Sequence, residues 1–492
     1  MGGLPDVGAR QLAHGPQRGV GSAAQVLTGA PESHGARSAR GKGPRGEPLI
    51  ERKTMSSTIA VEDLEVGMYV HLDVGWLSHP FPLSSFRITE PAQITTIRGL
   101  GLQQVRWSPE RSLRASGVGA ASPAGEPSAD GAVPVAEPEV PAAESAADAA
   151  ARRNRERLEA QREAQQQCER QFAEAARAWR AAVDVAIARP LQAREAAVTL
   201  IDALVAKLRA SDEVGIRLVA TTGGDRTAAH GLNVTVVSLL LGRALGMDDR
   251  ALHELGLGAM LHDLGKIELP DRVRHLEPGA SSPEVAAYRE HVSKGVALGR
   301  RMQLADAALA VLAQHHEHAD ASGFPNRIAG EQITLASRIV AIANRYDNLC
   351  NPQGRVPPLT PHEAVAMVFA QGRSRHDPQV LGAFIRMMGV YPAGSVVQLT
   401  DDRFGLVVGV NTTRALKPRV LVHDPGVPRR EALLMDLEDA PHLGIRRSLG
   451  ASRLPPAAAE YLDPRPRVAY FFEPLGPVLP NAPAVAGVAL AT

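Results

Sequence analysis

The stretch ALHELGLGAMLHDLGKIELP, residues 251–270, decides the fold. Apolar side chains recur at helical spacing as far as Leu261, and then His262 and Asp263 end the run. Gly265 follows in a position suited to closing a helix. Neighbouring residues on a helix point about 100° apart, so His262 and Asp263 serve one site only if it lies on the helix flank. AVLAQHHEHADASGFP, residues 310–325, repeats the arrangement: a helix ends in His315-His316 and runs into a small-residue turn closing on Gly-Phe-Pro.

Working outward, the pattern from about Thr227 to Gly389 predicts an almost wholly helical block. His230, His262-Asp263, His291 and His315-His316 fall on successive predicted helices. A metal cluster inside a bundle needs this supply, because each inward-facing helix donates one or two ligands at a shared depth. Imidazoles with a carboxylate suit iron, manganese, zinc or nickel, and one Asp can bridge two ions. His253, His275, His318, His362 and His376 are assigned ordinary core or surface roles.

The flanks read differently. Residues 1–54, rich in Gly, Ala, Arg and Ser, are expected to be disordered, which leaves Met1 and Met55 as alternative starts. Residues 55–114 alternate β-type runs with turns (VGMYVHLDVGWL, FRIT, AQITTIRGL, LQQVRW), with Trp76, Phe81, Phe86 and Trp107 expected to fill a small core. Residues 115–150 form an Ala/Pro-rich linker and 151–210 a helical connector. The connector's apolar seam, Phe172, Trp179, Val183 and Ile187, needs a partner surface, which points to a homodimer or a signal relay. Residues 391–440 carry period-two runs and predict a C-terminal β extension; 441–492 is a Pro/Ala-rich tail expected to be poorly ordered. The fold class is therefore multidomain and mainly α: a helical bundle at 211–390 between two small β units.

Composition narrows the function classes. A formal charge of +1 over 492 residues argues against capture of a nucleic-acid polymer. Cys168 and Cys350 are the only cysteines, which fits a reducing compartment. No apolar run is long enough for a membrane span, so a cytoplasmic location is expected.

LHDLGKIELP, with a His upstream and EHVSKG, HHEHADASGFP and RIVAIANRYDNL downstream, resembles the HD-GYP subgroup of the HD metal-dependent phosphohydrolases over about residues 225–390. LEVGMYVHLDVGWLSHPF resembles a small domain of unassigned role that often precedes such modules. The resemblance implies hydrolysis of cyclic di-GMP to pGpG or GMP at two divalent ions, iron or manganese. It implies His230, His262, Asp263, His291, His315 and His316 as ligands, with Asp263 the bridge and catalytic beside Lys266. Lys266 would stabilise phosphate charge or protonate the leaving 3′ oxygen. Asp320, Ser322, Gly323, Phe324 and Pro325 match a loop beside the substrate that is linked to signalling partner proteins. Phe324 replaces a tyrosine and Ala321 a glycine, so a positive φ at Ala321 would be strained.

Three departures bear on activity. Asn344 stands where the family has a ligand Asp; an amide oxygen brings no charge, so weaker metal binding is expected. Asp347 lies one helical turn on. Arg226 replaces a glutamate four residues before the first His, which disfavours a third ion. RHLEPGASS (274–282) and PQGRVPP (352–358) replace two basic segments, leaving Arg355 as one retained phosphate contact. The alternative is an impaired HD-GYP protein that senses cyclic di-GMP or docks partners without turnover.

Overall fold

The computed structural model describes residues 57–79, 81, 84–113, 145–220 and 225–475. The segment 1–54 and nearly all of the 115–150 linker lie outside the described residues, as does the tail beyond 475.

The first unit is a sheet of β1 (Ser57–Ala60), β2 (Tyr69–His71), β3 (Ser85–Arg87) and β4 (Gln104–Trp107) in the order β1-β4-β2-β3. Between its last two strands runs α1 (Pro91–Gly99), where strand character was expected for AQITTIRGL. Pro91 starts the first turn, and the Gln93 side-chain oxygen accepts the Thr89 and Glu90 N–H groups at 2.7 and 3.3 Å. Ile94 and Ile97, three residues apart, are buried. End chemistry and helical spacing outweigh the β preference of Ile and Thr. Phe81, Phe86 and Trp107 pack against this small core, but Trp76 leaves it for the main core.

The connector is α2 (Ala146–Val185), which begins five residues before the expected boundary, and α3 (Pro190–Arg209). Phe172 and Trp179 of α2 are buried inside the chain's own core, so the seam proposed for dimerisation is already covered; Ile187, at 46% exposure, is the part left outside. The Trp179 indole donates to the Met260 carbonyl at 3.0 Å and lies on Gly231, where a Cβ would come within 2.7 Å of its nitrogen.

β5 (Glu213–Val219) follows, a strand inside the region expected to be all helical. The bundle proper is α4 (Arg226–Ala244), α5 (Asp249–Leu261), α6 (Asp271–Arg274), α7 (Ser282–Arg301), α8 (Asp306–Gln314), α9 (Leu335–Cys350), α10 (Pro361–Gly372) and α11 (Pro378–Met388). No described helix is long and apolar enough to cross a membrane.

After the bundle come β6 (Val396–Leu399), β7 (Phe404–Asn411), β8 (Arg419–Val422), β9 (Met435–Asp436), β10 (Ile445–Leu449), α12 (Pro456–Leu462) and β11 (Ala469–Leu475). The sheet order is β10-β6-β7-β5-β11, with β8 on β7 and β9 on β8. The extension therefore does not stop at 440. Residues expected to be poorly ordered supply β10, α12 and β11, because β11 pairs along its whole length with β5 and sends Tyr470, Phe471 and Phe472 into the core at 0% exposure. The tail is Pro/Ala-rich only around a strand whose apolar cluster, AYFF, is short.

Phe471 meets the rings of Trp76 and Phe172, each at 6.2 Å between centroids, and so ties the first unit and α2 to the C-terminal strand. Phe471→Ala is expected to cost about 3–5 kcal/mol, read as a lower midpoint in denaturant unfolding with the slope unchanged; an unshifted midpoint would show that β11 is peripheral.

Candidate metal centre

Six expected ligands meet at one place. Asp263 groups with His230 and His262 on one side and with His291, His315 and His316 on the other, the ligand atoms of each group lying within 4.8 Å of one another. The two carboxylate oxygens divide the work. Asp263 Oδ2 faces His230 Nε2 at 3.5 Å and His262 Nε2 at 3.4 Å. Asp263 Oδ1 faces His291 Nε2 at 3.6 Å and His315 Nε2 at 3.8 Å. This is the placement a bridging carboxylate requires.

Helix ends set this up. His262 and Asp263 follow α5, and His315 and His316 follow α8, where the chain leaves the helix and both neighbours can turn to one flank. Gly265 permits the approach of α7: a Cβ there would lie 1.9 Å from the His291 carbonyl oxygen and 2.4 Å from the Gly295 nitrogen. Only glycine lets the turn after Asp263 rest on the helix that carries His291.

The second ring nitrogens determine the tautomers. His262 Nδ1 donates to Ala259 O at 2.8 Å, His291 Nδ1 to Tyr288 O at 2.7 Å, and His315 Nδ1 to Leu312 O at 3.0 Å. His230 Nδ1 donates to the Asp347 carboxylate at 2.6 Å. Each of these Nδ1 atoms carries a proton, so His262, His291 and His315 present an Nε2 lone pair to the centre, while His230 Nε2 faces the Asp263 carboxylate. His291 Nε2 and His315 Nε2 stand 3.4 Å apart, two lone pairs facing each other. His262 Nε2, Asp263 Oδ1 and His316 Nε2 are buried with no hydrogen-bond partner among the described residues. Buried acceptors gathered without donors fit divalent cations.

Charge follows the same logic. Burial, and then the neighbouring imidazoles, hold His315 and His316 well below the ordinary histidine value, and burial lowers His291. Burial would also lower His230, but the Asp263 and Asp347 carboxylates raise it to about 9. Burial would raise Asp263; Lys266 and the imidazoles instead hold it well below the carboxylate range. Lys266 Nζ donates to Asp263 Oδ2 at 2.6 Å and faces the Tyr288 ring at 5.2 Å.

The remaining expected residues divide. Phe324 stacks on His316 at 4.5 Å between centroids, and a Cβ at Gly323 would strike the backbone of Glu317 at 2.5 Å. Asp320 and Ser322 direct their polar groups into the loop itself: Asp320 Oδ1 accepts the Ser322 N–H at 3.0 Å, and the Ser322 hydroxyl lies 2.9 Å from His318 Nδ1. Ala321 sits at φ +61°, a strained conformation for a residue with a Cβ, and Pro325 follows Phe324 through a cis peptide. Asn344 lines a cavity with His315 and His316, but its amide oxygen accepts from Asn348 at 2.5 Å. The Arg355 side chain is exposed, and the residue's backbone N–H donates to Glu277 at 3.2 Å.

Three contributors were not read as site residues. Asn233 and Asn351 each donate to Asp347 Oδ1 at 2.8 Å, fixing the carboxylate that orients His230. Buried Glu317 accepts the Asn326 N–H at 2.7 Å and anchors the Phe324 loop. Asn233 lies one helical turn after His230, a spacing that was legible. Asn351 and Glu317 act through backbone placement and were not.

Residues 207–380 match the family described as HD domain, and residues 56–197 match a domain of unknown function, DUF3391. The latter runs through α2 into α3, well past the 55–114 boundary expected from sequence. A Pseudomonas aeruginosa protein named cyclic di-GMP phosphodiesterase is 32% identical over 202 residues, 41% of this chain and 49% of the relative. A Xanthomonas campestris pv. campestris protein named cyclic di-GMP phosphodiesterase response regulator is 31% identical over 163 residues, 32% of this chain and 43% of the relative. A Vibrio cholerae protein named 3'3'-cGAMP-specific phosphodiesterase 2 is 30% identical over 157 residues, 32% of this chain and 30% of the relative. These matches span less than half of each relative's length.

Metal uptake must displace the His230 proton. Apparent affinity for Mn²⁺ is therefore expected to rise from pH 6 to about 9 and level off above, since the His230 proton competes below its value of about 9. Compared at pH 9, Asp347→Asn is expected to weaken Mn²⁺ binding roughly 10–100-fold by freeing the ring. Titration calorimetry in buffers of different ionisation enthalpy checks both, and a pH-independent affinity would refute the protonated His230.

Proposed function

We propose that this chain, an HD-domain protein with an N-terminal DUF3391 domain, is a metal-dependent phosphodiesterase that hydrolyses cyclic di-GMP to pGpG or GMP in cytoplasmic second-messenger signalling. The observation that carries the reading is the Asp263 carboxylate, each of whose oxygens faces its own set of imidazoles. The relatives' names support the substrate class. His230, His262, Asp263, His291, His315 and His316 would hold two divalent ions, and their nitrogen and oxygen donors suit iron or manganese. Such ions supply Lewis acidity toward a phosphodiester and a nucleophile at neutral pH.

The chain's own residues do the rest. Asp347 and three backbone carbonyls hold the imidazoles so that each Nδ1–H is turned away from the centre. Lys266 places a fixed ammonium beside Asp263; burial works against its charge, and the Asp263 ion pair outweighs burial and keeps it protonated. From there it can share charge with a phosphate oxygen or deliver a proton to the leaving 3′ oxygen. Phe324, stacked on His316 with the Arg289 guanidinium 4.9 Å from its ring, keeps water from that edge and offers a face to a base.

A second reading rests on Asn344. Its oxygen is engaged by Asn348 and it brings no charge, so Asp263 is the one acidic residue in either ligand group among the described residues. A protein weakened in this way binds cyclic di-GMP, or docks partners through the Phe324 loop, without turnover.

Elemental analysis paired with turnover on one sample separates the two. The hydrolase reading expects about two Fe or Mn per chain and cleavage of cyclic di-GMP, and a loaded protein that leaves the dinucleotide intact overturns it. Asn344→Asp is expected to raise metal retention about tenfold; a rise in turnover from near zero supports the impaired sensor, and robust wild-type turnover eliminates it.

A further inference from the structure

A cavity of about 320 Å³ lies where α2, the start of α4, the segment after α9 and the approach to β11 meet, and His230 forms part of its wall. Its floor is apolar, from Phe172, Ala228 and Val468, while Arg177, Arg226 and Arg467 line its polar side. The volume is at the small end of ligand pockets, enough for one nucleotide but not for a dinucleotide.

The charges around this cavity are not balanced. Asp225 is taken by Arg180, and Glu169 accepts from Gln165 at 2.6 Å and from the Ala220 N–H at 3.4 Å. Arg177, Arg226 and Arg467 make no ion pair among the described residues. Arg467 donates to the Pro352 carbonyl at 3.4 Å, and the nearby Arg226 charge adds to burial in lowering its affinity for a proton. Two guanidiniums therefore face one space with no carboxylate of their own between them, an arrangement suited to a phosphate oxygen pair.

The two segments that replace basic ones in the resembled family, 274–282 and 352–358, meet where Glu277 accepts the Arg355 N–H, with Gly354 against the same carboxylate. Arg226 and Arg467 supply cations on the cavity's own wall, the second from the C-terminal segment just before β11.

We propose that the cavity beside His230 is a nucleotide subsite of the metal centre, in which Arg226 and Arg467 clamp a phosphate of a cyclic dinucleotide and the Phe172–Val468 floor takes a ribose and the edge of its base. The assignment rests on the hydrolase reading for the class of ligand. Arg226 and Arg467 are binding residues here, and the C-terminal strand is part of substrate recognition as well as of the core.

The test uses the full chain loaded with Mn²⁺, a phosphorothioate analogue of cyclic di-GMP as the binding probe, and cyclic di-GMP itself for turnover. Arg226→Ala and Arg467→Ala are each expected to raise the dissociation constant of the analogue at least about tenfold, with bound metal and melting temperature unchanged. Arg226 is exposed on the first turn of α4, so its variant keeps the question answerable if Arg467→Ala fails to fold. Constants within twofold of wild type, in a protein that cleaves cyclic di-GMP, overturn the subsite and leave the hydrolase reading intact. Weakened binding in the variants of a protein that binds the analogue but cleaves nothing supports the subsite and removes the hydrolase reading. Wild-type binding weaker than about 1 mM overturns both.

Discussion

Everything at this site depends on which nitrogen of each imidazole carries the proton. Three backbone carbonyls and the Asp347 carboxylate each take an Nδ1–H, leaving the Nε2 atoms of His262, His291, His315 and His230 directed at Asp263, with lone pairs at the first three. Lone pairs at 3.4 Å repel, and a carboxylate in their midst cannot donate to them. Such a cluster is costly to bury unless a cation satisfies it. Lys266 and the His230 proton neutralise part of it from the Oδ2 side, and the Oδ1 side, facing His291 and His315, has neither. The fold thus keeps a half-neutralised site, with the greater demand for positive charge beside His291, His315 and His316.

Holding so unfavourable a cluster together requires a rigid frame, and the frame uses both ends of the described chain. Trp179 of the connector donates to Met260, two residues before His262, and lies on Gly231, one residue after His230. Asn233, which fixes Asp347, also accepts the Tyr470 N–H of β11 at 3.0 Å, and Tyr346 and Tyr470 share a hydrogen bond at 2.9 Å beneath it. The orientation of His230 is therefore coupled through Asp347 and Asn233 to a strand more than two hundred residues away in sequence. β5 and β11 close that loop by pairing across seven residues.

The legible part of this protein was the chemistry-bearing part. Histidines at helix ends, an adjacent Asp and a glycine two residues later are local features, and local features survive in one sequence: the six expected metal ligands converge. What failed was long-range or depended on end chemistry. β5 and β11 are each an ordinary short apolar run whose pairing is invisible until both are placed, so 441–475 read as tail. AQITTIRGL became a helix through Pro91 and Gln93, not through its Ile and Thr residues. The connector seam did need a partner, and the partner was the same chain's core. Asp347 was noted as a neighbour of Asn344, yet its place on His230 Nδ1 depends on α4 and α9 crossing at one depth.

Asn344 and Asp347 show how one helix assigns different roles to two residues a turn apart. Both are buried on α9. Asp347 has its carboxylate filled by His230, Asn233 and Asn351, so it cannot swing to replace a missing ligand without releasing the ring it orients. Asn344 must therefore serve with an amide oxygen already shared with Asn348, or not at all. Its neutrality has a compensating effect. Asp263 is already an anion shared across the centre, and a second carboxylate on α9 would hold metal more firmly but would also repel an incoming phosphodiester. An amide there trades metal affinity for a less negative approach, in a site whose Arg355 edge already carries the Glu277 carboxylate. On the hydrolase reading proposed above, weak metal retention and tolerance of an anionic substrate would be two consequences of one missing charge.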